Sequence, residues 1–88
     1  MIATDKEKML EGSIAVYPFK DGYIVHKELE IERLDKNYNE LWFFEGGDVF
    51  LTKDSKKYPP IQIVGDTIEL LDWNYEHYVL DEFGQRIG

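Results

Sequence analysis

Residues 61–71, IQIVGDTIELL, decide the fold class of this chain. A Gly-Asp pair at 65–66 separates two short runs in which apolar and polar residues alternate, a pattern typical of a β-hairpin with a tight turn. One face of this hairpin is formed by Ile61, Ile63, Ile68 and Leu70, and the other by Gln62, Val64, Thr67 and Glu69. Because an antiparallel sheet can bury one face and expose the other, the stretch predicts a half-buried antiparallel hairpin.

A second hairpin is predicted near the start of the chain. β-branched and aromatic residues from Ile14 to Phe19 favour a strand. Asp21-Gly22 follows, and such a pair favours a turn that would place Phe19 opposite Ile24. The proline at position 18 lacks an N–H group, so this strand is expected at a sheet edge or a bulge.

A third hairpin is predicted in the middle of the chain. The run Leu41–Phe44 is apolar on both faces, which indicates a central strand. Gly46-Gly47 would turn the chain, and Val49–Leu51 would return with Phe50 opposite Phe43.

The segment between these hairpins has two interpretations. Residues 27–38 are rich in good helix formers, but alternation favours a strand that runs from His26 to about Leu34. In such a strand Glu28, Glu30 and Glu32 would share one face at intervals of ~6.6 Å, given ~3.3 Å of rise per residue. That interval is close to the spacing of backbone phosphates, so the three carboxylates could imitate a nucleic acid. A solvated strand face is the simpler interpretation.

The C-terminal quarter and the N-terminus complete the predicted fold. A turn at 72–74, a strand at 75–80 and a turn at 83–84 before a short 85–87 strand bring the tally to seven or eight strands. A capping box from Thr4 to Glu7 predicts a short helix ending near Gly12. The fold class is therefore mainly β, or β-rich α+β: a small antiparallel sandwich or partly open barrel built from hairpins, with a short N-terminal helix. One domain is expected over 1–88, with a helical segment at 1–12 and a β-hairpin body at 13–88.

The composition restricts the class of partner. The 88 residues carry a net charge of −8, and the residues from Tyr58 onward contribute six acids against one base. Such a surface attracts basic proteins and repels nucleic acids and anionic membranes. The chain has no cysteine and no long apolar run, so a soluble, cytoplasmic protein without disulfides or a membrane span is expected.

The sequence contains few of the motifs that catalysis or cofactor binding requires. There is no cysteine nucleophile, no serine in a nucleophile-elbow pattern and no glycine-rich phosphate loop. The two histidines, His26 and His77, lack a second ligand at a spacing that zinc sites use. We expect neither a metal site nor a cofactor, and we expect that the protein is not an enzyme. A cavity holding either histidine with convergent carboxylates would argue otherwise.

Binding is therefore the predicted activity. The predicted binding residues are three acids, Glu28, Glu30 and Glu32, and three aromatic anchors, Trp73, Tyr75 and Tyr78, because aromatic residues commonly anchor interfaces. The first hypothesis is an acidic module that inhibits or modulates a nucleic-acid-handling protein of the phage or mobile-element type, by nucleic-acid mimicry. The alternative is a structural β module that self-associates or docks on a larger complex.

Overall fold

The structure, a computed structural model, describes residues 12–88 and is mainly β. The strands are β1 (Ser13–Phe19), β2 (Gly22–Lys27), β3 (Glu30–Leu34), β4 (Glu40–Glu45), β5 (Ile61–Val64), β6 (Thr67–Leu71) and β7 (His77–Leu80). They form two antiparallel sheets, a four-stranded sheet in the order β1-β2-β3-β4 and a three-stranded sheet in the order β5-β6-β7. The mainly β prediction is confirmed for this part of the chain.

Both sheets contribute to one hydrophobic core. The buried core residues are Phe19, Ile24, Ile31, Phe50, Ile61, Ile68, Leu70, Tyr78 and Leu80. Trp42 and Phe44 of β4 are partly buried and pack against this cluster. A shared core of this kind means that neither sheet buries its apolar face without the other.

The 61–71 hairpin is confirmed in its turn, register and faces. Ile63 pairs with Ile68 and Val64 with Thr67, so Gly65-Asp66 forms the turn. Ile68 is fully buried, whereas Val64 on the other face is 53% exposed. Local alternation and the turn residues were sufficient to define this element.

The first hairpin is confirmed as a hairpin, but its predicted register is wrong. Phe19 pairs with Gly22 rather than with Ile24, so the turn consists of Lys20 and Asp21. A Cβ at position 22 would collide with the carbonyl oxygen of Leu34, so Gly22 is required inside the sheet by close packing. Lys20 takes the left-handed conformation instead, with φ of 57°.

The predicted strand through residues 26–32 is wrong, as is the helical alternative for residues 27–38. The chain bends at Glu28 and Leu29, so that β2 and β3 form a second hairpin in which His26 pairs with Ile31. Glu28 therefore lies in the bend and not in line with the other two glutamates. The ladder of three carboxylates on one strand does not form.

The predicted central strand at 41–44 is an edge strand. β4 pairs with β3 alone in its sheet, and its residues Leu41 and Phe43 are exposed. The predicted return strand at 49–51 is also wrong, because Phe50 turns into the core at the end of the β2–β3 hairpin. There its N–H donates to the Glu28 carbonyl at 2.7 Å, and its ring lies 6.3 Å from that of Phe44.

The C-terminal predictions are confirmed in part. The turn after Asp72 forms, but the following strand begins at His77 rather than at position 75. An isolated bridge between Leu80 and Arg86 replaces the short final strand. The predicted helix at 4–12 lies outside the described residues apart from Gly12. Within 12–88 there is no helix, and so none of a length that could cross a membrane.

Candidate functional site

The outer face of the four-stranded sheet carries two of the predicted acidic residues. Glu30 pairs with Glu45 across β3 and β4, and Glu32 pairs with Phe43, so all four side chains lie on the same face. Leu41 has no partner on β3, because the register shifts between Arg33 and Leu34, and its side chain is exposed. We call Leu41, Phe43, Glu30 and Glu45 the β4 surface.

The carboxylates on this face of the sheet repel one another, and Glu32, which lies beside the β4 surface, is paired with a lysine. Glu32 is buried, and its carboxylate accepts a hydrogen bond from Lys27 Nζ at 2.7 Å. Partial burial raises the pKa of Glu30 above its usual value, and the neighbouring Glu32 and Glu45 carboxylates raise it further. Within residues 12–88 neither Glu30 nor Glu45 forms an ion pair, although the charge of Lys27 partly opposes the rise in the pKa of Glu30.

The apolar part of the β4 surface is unusually open. Leu41 is 56% exposed and Phe43 is 52% exposed. Single exposed apolar residues are normal, but an adjacent leucine and phenylalanine on an edge strand form a small patch of the kind found at interfaces. Sequence reasoning missed this patch, because apolar residues on both sides of β4 indicated a central strand.

The predicted aromatic anchors separate into two environments. Tyr78 is buried in the core, where its ring lies 5.5 Å from Phe44 and 5.9 Å from Phe50. Trp73 and Tyr75 are each 43% exposed in the loop between β6 and β7. Tyr78 is therefore a core residue, and the other two remain available for contacts.

Asp72 builds the loop that carries the two exposed rings. It is 2% exposed, and its Oδ1 accepts hydrogen bonds from the backbone N–H groups of Asn74 at 2.9 Å and Glu76 at 3.0 Å. Its Oδ2 accepts a bond of 3.0 Å from the Tyr78 hydroxyl, which in turn accepts one of 3.0 Å from the Gly47 N–H. The loop is thereby fixed to the core rather than left to adapt.

Two adjoining cavities lie between this loop and residues 52–60. One of about 380 Å³ is lined by Tyr58, Leu71 and Tyr75. The other, of about 220 Å³, is lined by Lys57, Tyr58, Pro59, Gln62, Glu69, Leu70, Leu71 and His77. The shared residues Tyr58 and Leu71 join them, and we call the pair the aromatic groove. Sequence reasoning named Tyr75 here but missed Lys57 and Tyr58, because residues 52–58 offered only a polar loop.

The two histidines have different environments. His26 is buried, and its Nε2 donates to the Phe50 carbonyl oxygen at 2.8 Å. Burial lowers the pKa of His26, against the smaller opposing effect of this hydrogen bond. His77 lies at the aromatic groove with its Nε2 3.3 Å from Glu69 Oε1. One carboxylate beside one histidine supplies too few ligands for a metal site, and no group of three metal-ligating side chains occurs within the described residues.

Comparisons with protein-family models, curated proteins and solved structures found no match to this chain. The functional argument therefore depends on the two surfaces described above.

Proposed function

We propose that the protein is an acidic, cytoplasmic protein-binding module, a small antiparallel sandwich that binds a partner with a basic surface through the β4 surface. The observation that carries this proposal is the exposed Leu41 and Phe43 pair beside the carboxylates of Glu30 and Glu45. Apolar side chains supply the contact area of an interface, and surrounding charges select the partner and accelerate its approach.

Charge complementarity identifies the class of partner. A net charge of −8 attracts basic surfaces over long range, and the carboxylates of Glu30 and Glu45 direct that attraction to β4. The partner is accordingly a protein that presents an apolar side chain ringed by lysine or arginine. Nucleic acids and anionic membranes are excluded as direct partners of this surface by charge.

A narrower form of the proposal is that the partner handles nucleic acids. Such proteins carry basic surfaces, and a phage or mobile-element inhibitor would exploit them. This form is supported by the net charge and by the acidic pair, but not by a regular carboxylate ladder, because Glu28 lies in a bend and Glu32 is neutralised by Lys27.

The experiment is a tagged pull-down from bacterial lysate at low and high salt, with partners identified by mass spectrometry. Salt screens contacts between exposed charges, so we expect a basic protein that is retained at low salt and released at high salt. The double variant Leu41→Ser/Phe43→Ser should lose it. The single variant Val64→Ser is the control, because Val64 is equally exposed on the other sheet.

A second set of variants, which removes charge, tests the acidic residues of the β4 surface. Glu30→Gln/Glu45→Gln should weaken capture at low salt, whereas Glu76→Gln/Glu82→Gln removes the same charge from side chains that pair with Arg86 and Lys20 elsewhere. Equal loss in both double variants would mean that net charge alone attracts the partner. Capture that survives both the serine and the glutamine variants at β4 would contradict the proposal.

A second candidate function is assembly with copies of itself, favoured by the position of β4 at a sheet edge. An open edge strand with apolar side chains can pair with another strand. Light scattering over a range of concentrations tests this: assembly that disappears in Leu41→Ser/Phe43→Ser supports it. A monomer at every concentration would eliminate it.

A further inference from the structure

The aromatic groove combines apolar walls with a polar end that carries Lys57 on one side and Glu69 on the other. The rings of Tyr58 and Tyr75 pack edge to face with their centroids 5.2 Å apart, and Leu71 lines the larger cavity with them. At the other end Lys57 lines the smaller cavity together with the polar side chain of Gln62. The larger cavity, of about 380 Å³, lies within the size range of small-molecule sites, which run from about 300 to 1,000 Å³.

The lysines beside the groove, like Lys36 in the β3–β4 turn, differ from the other cations within residues 12–88. Within residues 12–88, the basic residues Lys20, Lys27, Arg33 and Arg86 pair with carboxylates. Lys53, Lys56 and Lys57 have no carboxylate within ion-pair distance in that part of the chain, although acids outnumber bases. Lys57 Nζ lies 5.4 Å from the centroid of the Tyr58 ring. The groove therefore has a lysine without an ion pair directly beside an exposed aromatic ring.

We propose that the aromatic groove binds a small anionic aromatic molecule, an aryl carboxylate or aryl phosphate. Its ring lies against Tyr58, Leu71 and Tyr75, and its anionic group faces Lys57. Offset and edge-to-face packing of aromatic rings supplies part of the affinity, and the lysine supplies the charge complement. This site uses different residues from the β4 surface, so either proposal can fail alone.

The rings are held in place before any ligand arrives. Tyr75 has φ of 62°, a left-handed conformation that is unfavourable for a bulky residue and is imposed by the Asp72-centred turn. On the other side, the Asp54 carboxylate accepts hydrogen bonds from the Lys56 and Lys57 N–H groups at 3.2 Å. A preorganised groove avoids the entropic cost of ordering loops on binding. Unfavourable backbone held by surrounding structure is also common where a ligand binds.

The Glu69 carboxylate repels an anion in the smaller cavity and so restricts where the anionic group of the ligand can lie. Its carboxylate lies beside His77 at 3.3 Å, on β6 rather than on the loop that carries Lys57. The anionic group is therefore placed at the Lys57 side of the groove. Glu69→Gln should tighten binding of the anion, because it removes a repulsive charge from the wall.

The first experiment titrates the whole protein with four probes and follows backbone amide shifts in NMR spectra. Phenyl phosphate and benzoate carry a ring and a charge, inorganic phosphate carries only charge, and benzyl alcohol carries only a ring. We expect saturable shifts at residues 57, 58, 71 and 75 with phenyl phosphate or benzoate. The two single-feature probes should bind at least about ten-fold more weakly, since each lacks an interaction worth ~1.4 kcal/mol. Comparison of the affinities for phenyl phosphate and benzoate identifies which anionic group the site prefers.

Matched variants locate the binding. Lys57→Met should weaken phenyl phosphate binding about five-fold, the effect of losing an exposed ion pair of ~1 kcal/mol. Lys36→Met is the control, because Lys36 is also exposed and forms no ion pair within residues 12–88, but it lies in the β3–β4 turn. Tyr75→Asn should weaken binding by a similar factor while keeping the backbone, because asparagine tolerates the left-handed conformation. Thermal unfolding confirms that each variant is folded.

Three results would overturn the proposal. The first is the absence of saturable shifts with both phenyl phosphate and benzoate. The second is equal affinity for inorganic phosphate or for benzyl alcohol, which would make the ring or the charge irrelevant. The third is binding that is unchanged in folded Lys57→Met and Tyr75→Asn proteins, which would place the ligand elsewhere.

Discussion

Replacing Tyr78 by phenylalanine removes one hydroxyl group and leaves the ring that packs in the core. That hydroxyl donates to the Asp72 carboxylate at 3.0 Å and accepts from the Gly47 N–H at 3.0 Å. The ring keeps its contacts with Phe44 and Phe50, whose centroids lie 5.5 and 5.9 Å away. Tyr78→Phe therefore isolates the two hydrogen bonds from the packing of the side chain.

The expected loss is a large fraction of the total stability. A hydrogen bond to a buried charged group contributes about 1.5–3 kcal/mol, and Asp72 is 2% exposed, so water cannot readily replace the lost donor. The Gly47 N–H adds little, because Gly47 is exposed and can turn to solvent. We expect the free energy of unfolding to fall by about 2–3 kcal/mol out of roughly 4–13 kcal/mol for a domain of this length.

Urea denaturation followed by circular dichroism measures this change. The midpoint should fall while the m-value stays constant, because the surface exposed on unfolding is the same. Tyr58→Phe is the control, since Tyr58 is 40% exposed, and it should stay within about 0.5 kcal/mol of the parent. A Tyr78→Phe protein as stable as this control would refute the claim that the hydroxyl fixes the Asp72 turn.

Two further predictions concern pH and a glycine. Burial lowers the pKa of His26, so its stabilising effect is present above about pH 6.5 and is lost as the pH falls towards the folded-state pKa. Urea midpoints measured between pH 5 and 8 should therefore fall on acidification, and less steeply for His26→Gln. Gly84 has φ of 79°, and a Cβ there would lie 2.5 Å from Trp42 Cδ2, so Gly84→Ala should lose about 2–4 kcal/mol in thermal unfolding. Gly65→Ala, with φ of 61° and open space around the Cβ, should lose only about 1–2 kcal/mol, and equal losses would contradict the steric argument.

Local sequence patterns predicted the strand register correctly where the residues that favour a turn actually lie in that turn. The Gly65-Asp66 pair favours a turn and lies in it, so the predicted β5–β6 register was correct. Gly22 signals a turn but is needed inside the sheet against the Leu34 carbonyl, so the β1–β2 register was wrong by two residues. The Glu28-Leu29 bend contains no glycine, proline or asparagine, and alternation therefore continued through it.

The candidate sites depended on contacts that are distant in the sequence. Phe50 leaves the side of β4 because it is held by the Glu28 backbone, 22 residues away in the sequence, and this leaves β4 at the edge. The aromatic groove joins Tyr58 to Tyr75 across the whole β5–β6 hairpin. Periodicity describes one strand at a time, so neither juxtaposition could be read from it.

The segment from Gly46 to Leu51 also determines the order in which the chain can fold. The Phe50 N–H donates to the β2–β3 hairpin, while the Val49 carbonyl accepts from the Trp73 N–H at 2.9 Å in the turn before β7. Its partners belong to opposite sheets, so these contacts can form only after hairpins from both halves have formed. Contacts between such distant segments tend to form after local ones, because the entropy of loop closure is lost before these contacts stabilise the chain. The segment is therefore expected to dock late in folding and, when weakened, to hasten unfolding while leaving the rate of folding almost unchanged.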